Sequence, residues 1–228
     1  MSDAESPKGT MELSCEDCMA LMARYPDKHF DLAIVDPPYG LGICNQKTGR
    51  NNGKNYVATE YSMEKRWDEE RPGPEYFAQL RRVSRDQIIW GGNYFADMLP
   101  PSRGMIFWDK MIGDNDFSGG ELAWTSFDRP LKIVRHYHGG NRVSNNAEAA
   151  KAYARIHPTQ KPVALYRWLL ERYAKPGQRI LDTHLGSGSH AIACHYFGAH
   201  LTACEIDADY FAAATARIQR ETAQTTFL

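Results

Sequence analysis

The stretch Gln178-Arg179-Ile180-Leu181-Asp182-Thr183-His184-Leu185-Gly186-Ser187-Gly188-Ser189, followed by His190-Ala191-Ile192-Ala193-Cys194-His195-Tyr196-Phe197, decides the fold. Its first part is a short apolar run set off by Pro176-Gly177, which predicts a buried strand. Its last part carries small and apolar residues at helical spacing and ends at Gly198, a C-terminal stop signal. Between them lies a glycine-rich turn. Strand, glycine turn and helix in that order form the unit that places a helix N-terminus beside a ligand. The next apolar run, Ala199 to Cys204, ends at Glu205, 23 positions after Asp182. An acidic residue about 20 residues on is where ribose hydroxyls are bound in such units. The plainer reading is that Glu205 caps the following helix, Ala208 to Arg220.

The turn lacks a third glycine at the dinucleotide offset, since Ser189 follows Gly188, and it has no Gly-Lys-Ser/Thr. Dinucleotides and nucleoside triphosphates are therefore poor fits. A short Gly-Ser-Gly turn suits a nucleoside with a small charged tail and no phosphates. S-adenosylmethionine has that form.

Upstream, Phe30-Asp31-Leu32-Ala33-Ile34-Val35 reads as a second buried parallel strand, and Asp36-Pro37-Pro38-Tyr39 follows it directly. Asp36 then stands at a strand's carboxyl end, where open α/β sheets bind ligands. Two prolines fix φ twice and remove two N–H donors while leaving carbonyl acceptors. An acceptor, a rigid turn and an aromatic ring suit a planar ring bearing an amine. Alone, the tetrapeptide could be an ordinary turn.

Together these residues resemble the amino-group DNA methyltransferases, specifically the permuted class called β. There the Asp-Pro-Pro-Tyr motif comes first, a target-recognition segment follows and the cofactor turn comes last. Three further segments match: Met11 to Cys18, Ile88 to Phe95, and His157-Pro158-Thr159-Gln160-Lys161-Pro162. The resemblance covers about residues 11 to 220. It implies an α/β, doubly wound, Rossmann-like methyltransferase sheet with circularly permuted motif order. It also implies S-adenosyl-L-methionine as cofactor and the exocyclic N6 amine of a flipped adenine in DNA as target. Cytosine N4, an RNA or protein-amide substrate, and a catalytically inactive cofactor-binding module are the alternatives.

By that resemblance Asp36, Pro37, Pro38 and Tyr39 are catalytic. Asp17, Asp36, Asp182, Thr183, His184, Gly186, Ser187, Gly188 and Glu205 surround the cofactor. His157, Thr159 and Lys161 stand near its methionine carboxylate. Trp90, Asn93 and Phe95 are weaker candidates for the target pocket. One departure stands out: the family usually has Asp-Pro-Phe before the glycine turn, and here Thr183-His184 replace Pro-Phe. His184 still presents a flat face.

The chain has 228 residues, 43% hydrophobic and 24% charged, with net charge −1. These values suit one sizeable globular domain over 1–228. No apolar run reaches the roughly 18 residues of a membrane span, and Met1 to Ser6 lack a basic-then-apolar signal. Five cysteines without disulfide-like spacing suggest a reducing, cytoplasmic setting. Cys15 and Cys18 have no second Cys/His pair at matching spacing, so no metal site is expected. Charge is unevenly placed. Arg129 to Lys161 holds seven basic residues against one acid, and Leu41 to Arg66 holds five against two. Such patches are the electrostatic footprint of a phosphate backbone, and Lys47, Arg50, Lys54, Arg135 and Arg142 are the DNA-binding candidates. A solvated surface loop is the plainer alternative. Residues 41–66 have little periodicity and read as a mobile loop. About 100–156 reads as a small inserted target-recognition region. Members of the class are often homodimers, although no interface is readable in this chain.

Overall fold

A computed structural model describes residues 9–42, 68–112, 118–137 and 156–223. Eight strands form one sheet: β1 Met11–Cys15, β2 Phe30–Val35, β3 Ser84–Trp90, β4 Met105–Asp109, β5 Gly120–Thr125, β6 Lys132–Arg135, β7 Arg179–Asp182 and β8 His200–Glu205. The helices are α1 Cys18–Ala23, α2 Pro74–Val83, α3 Val163–Tyr173, α4 Ser189–Phe197 and α5 Ala208–Ala223, with a 3-10 turn at Gly92–Phe95. The strand order is β1-β8-β7-β2-β3-β5-β4-β6. Only β5 runs against the rest, because it pairs antiparallel with both β3 and β4.

The alternation of β2 explains the layering. Leu32 and Ile34 point to one face and Ala33 and Val35 to the other, all essentially inaccessible to solvent. The first face packs under α3, α4 and α5 through Leu165, Leu169, Ile192 and Ile218. The second packs against α1 and α2 through Leu21, Met22, Phe77 and Leu80. A strand covered on both sides has no polar face to spare, which is why its sequence is a continuous apolar run.

The sheet also decides where a ligand can sit. β7 and β2 are parallel neighbours, with Leu181 opposite Ala33. From β7 the chain moves through α4 to β8 on one side, while from β2 it moves to β3 on the other. Their carboxyl ends therefore flank a topological switch point, where open sheets leave a crevice. Asp36 and the turn after Asp182 project into it.

Helix ends follow the expected signals. Pro74 opens α2 after Gly73. Gly198 ends α4 in the left-handed region, its N–H donating to the Cys194 carbonyl. The described part of 100–156 contributes β4, β5 and β6 to the main sheet. The expected mobile loop at 41–66, apart from Leu41 and Gly42, lies outside the described residues.

Candidate active site

A cavity of about 280 Å³ opens at the switch point. Its walls come from the carboxyl ends of four strands: Glu16 to Cys18 after β1, Asp36 and Pro38 after β2, Thr183 to Ser187 after β7, and Glu205 and Ile206 at the end of β8. His157 to Lys161 and Tyr166 of α3 close the remaining side. Of the expected cofactor residues, Asp17, Asp36, His157, Thr159, Lys161, Thr183, His184, Gly186, Ser187 and Glu205 all line this one space. Asp182 and Gly188 act from behind it.

Each wall is fixed locally. The Asp17 carboxylate caps α1, accepting from the N–H groups of Met19 and Ala20 at 2.9 and 3.1 Å. Asp182 accepts from the N–H of His184 at 3.0 Å and pairs with the buried His190 ring at 2.9 Å. His190 in turn stacks on Tyr166, with ring centroids 4.8 Å apart. Gly186 has φ +52° and Gly188 φ +75°, a region L side chains rarely adopt. A Cβ on Gly188 would also lie 2.8 Å from Ile218 of α5. The buried Arg217 guanidinium holds the loop to α5 by donating to the Ser187 carbonyl at 3.0 Å and to Ser189 Oγ at 2.9 Å. Glu205 accepts the N–H of Gly186 at 3.0 Å through one oxygen and that of Asp207 at 3.1 Å through the other. Glu205 thus lines the cavity and ties the glycine turn to the loop after β8, while the helix α5 is capped by Asp207, which accepts from the N–H groups of Asp209 and Tyr210 at 3.0 Å. Burial raises its pKa.

The Thr183-His184 pair is accommodated by a polar network. The Thr183 hydroxyl lies 2.6 Å from Tyr76 Oη and 2.9 Å from His184 Nδ1. The His184 ring meets the Tyr76 ring edge-on at 5.6 Å. Burial lowers the His184 pKa to about 4, so the ring facing the cavity is neutral near pH 7.

The Asp36-Pro37-Pro38-Tyr39 turn is drawn together from several directions. Tyr39 Oη donates to Asp36 Oδ1 at 2.6 Å. The Tyr39 ring stacks on Tyr94 at 4.8 Å with a 20° interplanar angle, and meets Phe95 edge-on. Asp68, 2% exposed, clamps the turn by accepting from the N–H groups of Tyr39 and Gly40 at 2.9 and 3.2 Å. Pro37 is buried, and Tyr39 stands beside the cavity without lining it.

Lys161 lines the cavity beside His157 and Thr159, and it also reaches the Asp36 turn. Its side chain is 3% exposed, and its ammonium donates to Asp36 Oδ2 at 2.5 Å. Glu121 Oε2 lies 3.0 Å from the same ammonium, and the Trp90 ring lies beneath it at 5.3 Å. Burial raises the Asp36 pKa, outweighing the opposite pull of Lys161. Burial disfavours the charge on Lys161, but Asp36 and Glu121 outweigh it and raise its pKa. Trp90 and Phe95, weaker pocket candidates, are fully buried, whereas Asn93 is exposed.

Arg135 lies on strand β6 at the sheet edge and pairs with Asp109 at 3.4 Å. Lys47, Arg50, Lys54 and Arg142 lie outside the described residues. Sequence reasoning missed Asp68, Tyr94, Glu121 and Tyr166. Asp68, Glu121 and Tyr166 carry no motif, and Tyr94 lies inside the matching segment Ile88 to Phe95 but was not singled out. Only folding brings Asp68 and Tyr94 to Tyr39, and Glu121 and Tyr166 near Asp36. Ser189 and Ile206 also line the cavity, and their adjacency to Gly188 and Glu205 is a signal that could have found them.

The DNA methylase family matches residues 89–216, more than half of the chain. The chain belongs to this DNA methylase family, of the N6/N4 type. Among curated proteins it is 24% identical to the type II methyltransferase M.HpaI of Haemophilus parainfluenzae, over 92% of this chain and 74% of that protein. It is 25% identical to the putative methylase YubD of Escherichia coli K12, over 89% of this chain and 87% of that protein. Among solved structures, the M1.HpyAVI–SAM complex superposes with TM-score 0.56 at 16% identity, covering 92% of this chain and 99% of that one. The cytosine-N4-specific PvuII DNA methyltransferase superposes with TM-score 0.59 at 11% identity, covering 96% and 93%. The sheet of this DNA methylase is thus the Rossmann-like sheet of that class. Among the described residues of the methylase no helix is long and apolar enough to cross a membrane.

Proposed function

We propose that this methylase transfers a methyl group to the N6 amine of an adenine flipped out of DNA, with the catalytic motif placed before the cofactor motif in permuted order. The observation that carries the reading is the Asp36–Tyr39 turn at the switch-point cavity, with Asp36 and Pro38 in its lining. The cofactor is S-adenosyl-L-methionine, which supplies an electrophilic methyl on a sulfonium. The residues present fit it. The cavity is walled by the carboxylates of Glu16, Asp17, Asp36 and Glu205, which suit hydroxyls and a cationic centre. The left-handed glycines hold the loop open above the N-terminus of α4, whose cap residue Gly188 has no side chain to occupy the first N–H groups. Ribose hydroxyls are assigned to Glu205 and the carboxylate tail to the His157–Thr159 side.

An adenine amine is a poor nucleophile because its lone pair is delocalised into the ring. As nitrogen bonds to the methyl carbon, the carbon–sulfur bond of the sulfonium would break with its electron pair kept by sulfur, leaving a neutral thioether. The nitrogen becomes tetrahedral, gains positive charge and then gives up one amine proton, by way of Asp36, to solvent. Asp36 accepts one N–H and the Pro37 carbonyl the other, which orients the lone pair and stabilises that charge. Tyr39, backed by Tyr94, offers the flipped base an aromatic surface worth about 1–3 kcal/mol, against an unstacking cost of a few kcal/mol. Holding methyl and amine in line supplies the proximity contribution. Adenine is favoured over cytosine by Asp at the first position of the tetrapeptide. The basic stretches favour nucleic acid over a protein amide. We read the whole chain as one methyltransferase domain, with 41–66 and about 100–156 serving DNA contact and target recognition.

The test is transfer of labelled methyl from S-adenosylmethionine to unmethylated duplex DNA, with the digested nucleosides identified by mass. N6-methyladenine that disappears in Asp36→Ala, with cofactor binding kept, is the expected result. N4-methylcytosine would correct the base. No label in DNA despite cofactor binding would refute the reading.

A further inference from the structure

Both oxygens of Asp36 are already engaged, one by Tyr39 Oη and one by Lys161. An incoming amine must therefore compete with an ammonium for its acceptor. How tightly that ammonium is held on Asp36 is decided further out. Glu121, on β5, touches Lys161 with Oε2 at 3.0 Å, but that oxygen receives no well-directed hydrogen bond. It is a buried acceptor that competes with Asp36 for the same ammonium. The other oxygen of Glu121 pairs with Lys110, just past the end of β4, at 2.8 Å. Asp36, Lys161, Glu121 and Lys110 thus form a row of alternating charges summing to zero. The row runs from the cavity across the switch from parallel to antiparallel pairing in the sheet.

We propose that Glu121 and Lys110 are positioning residues for methyl transfer: Glu121 draws the Lys161 ammonium partly off Asp36, and Lys110 sets how strongly it pulls. The proposal rests on the methyl-transfer reading above. Its logic is electrostatic. In a water-poor site an ammonium shared between two carboxylates leaves each a better acceptor than one it serves alone. Lys110 neutralises part of Glu121 and so moderates its claim on Lys161. The groups facing Asp36 are Lys161 from the loop before α3, Glu121 from β5, Tyr39 from its own turn and Tyr166 from α3. Both tyrosines are held neutral, since burial raises each well above its ordinary value. The two lysines and Glu121 are therefore the charges that set the behaviour of Asp36.

The signs are opposite for the two outer residues. Glu121→Gln removes the competing carboxylate, leaves Lys161 wholly on Asp36 and lowers the Asp36 titration midpoint by about one pH unit. Lys110→Met leaves Glu121 unneutralised, pulls Lys161 away and raises the midpoint. Lys110→Arg keeps the charge and the wild-type midpoint. The experiment is a carbon-13 carboxyl NMR titration of full-length protein labelled at aspartate, the Asp36 resonance being assigned by its loss in Asp36→Asn. The acid limb of the pH–rate profile for DNA methylation moves the same way, with cofactor KM unchanged. Midpoints that stay put in both variants, or move in the same direction, overturn the proposal. If wild-type protein methylates no DNA, the functional reading fails while the titration still decides the network. If DNA is methylated and neither midpoint moves, the network alone fails.

Discussion

Gly91→Ala should disable transfer without touching the cofactor site. Gly91 follows the end of β3 with φ +71°, and its missing Cβ is where the Tyr39 ring sits. A Cβ there would lie 2.3 Å from Cε1, 2.7 Å from Cδ1 and 2.8 Å from Cζ of Tyr39. Carbon atoms pack at about 3.5–4.0 Å, so ring and backbone must separate by roughly 1 Å. The ring cannot yield freely. Tyr94 stacks against it, Phe95 meets it edge-on, and its hydroxyl is tied to Asp36 at 2.6 Å. The left-handed conformation costs a non-glycine residue about 1–2 kcal/mol, and overpacking about 1–3 kcal/mol more. A stability loss of about 2–5 kcal/mol is expected from those two contributions. A misplacement of about 1 Å at a reacting group costs on the order of 100-fold in rate. Cofactor affinity should stay at the wild-type value, because neither Gly91 nor Tyr39 lines the cavity. Gly177→Ala is the control: its φ is +80°, but nothing lies within 4 Å of the added Cβ, so it isolates backbone strain from collision. The assay is kcat for DNA methylation at saturating cofactor, below the unfolding transition, with cofactor Kd by titration calorimetry. Wild-type kcat in folded Gly91→Ala, or a loss matched by Gly177→Ala, would refute the reasoning.

Two further outcomes follow from buried polar groups. His184 is held neutral down to about pH 4 by burial, against an ordinary value of 6.5. The unfolded chain therefore binds a proton that the folded chain refuses, and stability is lost as pH falls from about 6.5 towards 4. The loss is on the order of 3 kcal/mol at its largest. His184→Phe should remove it, so urea midpoints measured at both ends of that window should change less in the variant than in the wild type. An equal change in both would refute the assignment. Asp68→Ala leaves the Tyr39 and Gly40 N–H groups without their acceptor, which should cost about 1–3 kcal/mol in urea unfolding. Methyl transfer should fall with it as the turn loosens, and Asp68→Asn, which keeps an acceptor oxygen, should recover most of both.

Much of the architecture was legible because the signals are local. Apolar runs bounded by Pro, Gly and polar residues marked β2, β7 and β8, and these strands and the helices α4 and α5 lie within a few residues of where the sequence put them. The order strand, glycine turn, helix predicts a ligand at a helix N-terminus whatever else the chain does, since it depends on backbone conformation that Gly186 and Gly188 alone supply. The Asp36–Tyr39 turn was readable for the same reason: two prolines and a following glycine specify a local bend, which Asp68 then holds in place.

What surrounds that bend was not legible. Asp68, Tyr94 and Lys161 reach Asp36 or Tyr39 from 29 to 125 positions away, and Glu121 reaches Lys161 from β5. The resemblance sets Lys161 beside the cofactor's carboxylate, but its ion pairs with Asp36 and Glu121 were not readable. Only the sheet order, which sets β2 beside β3 and β3 beside β5, brings a buried carboxylate pair to that ammonium. Local sequence determined the strands, the glycine turn and the Asp36–Tyr39 bend, because short-range sterics decide them. Tertiary structure decided which charges face one another, because electrostatic partnership depends on distance through the fold and leaves no trace in spacing along the chain.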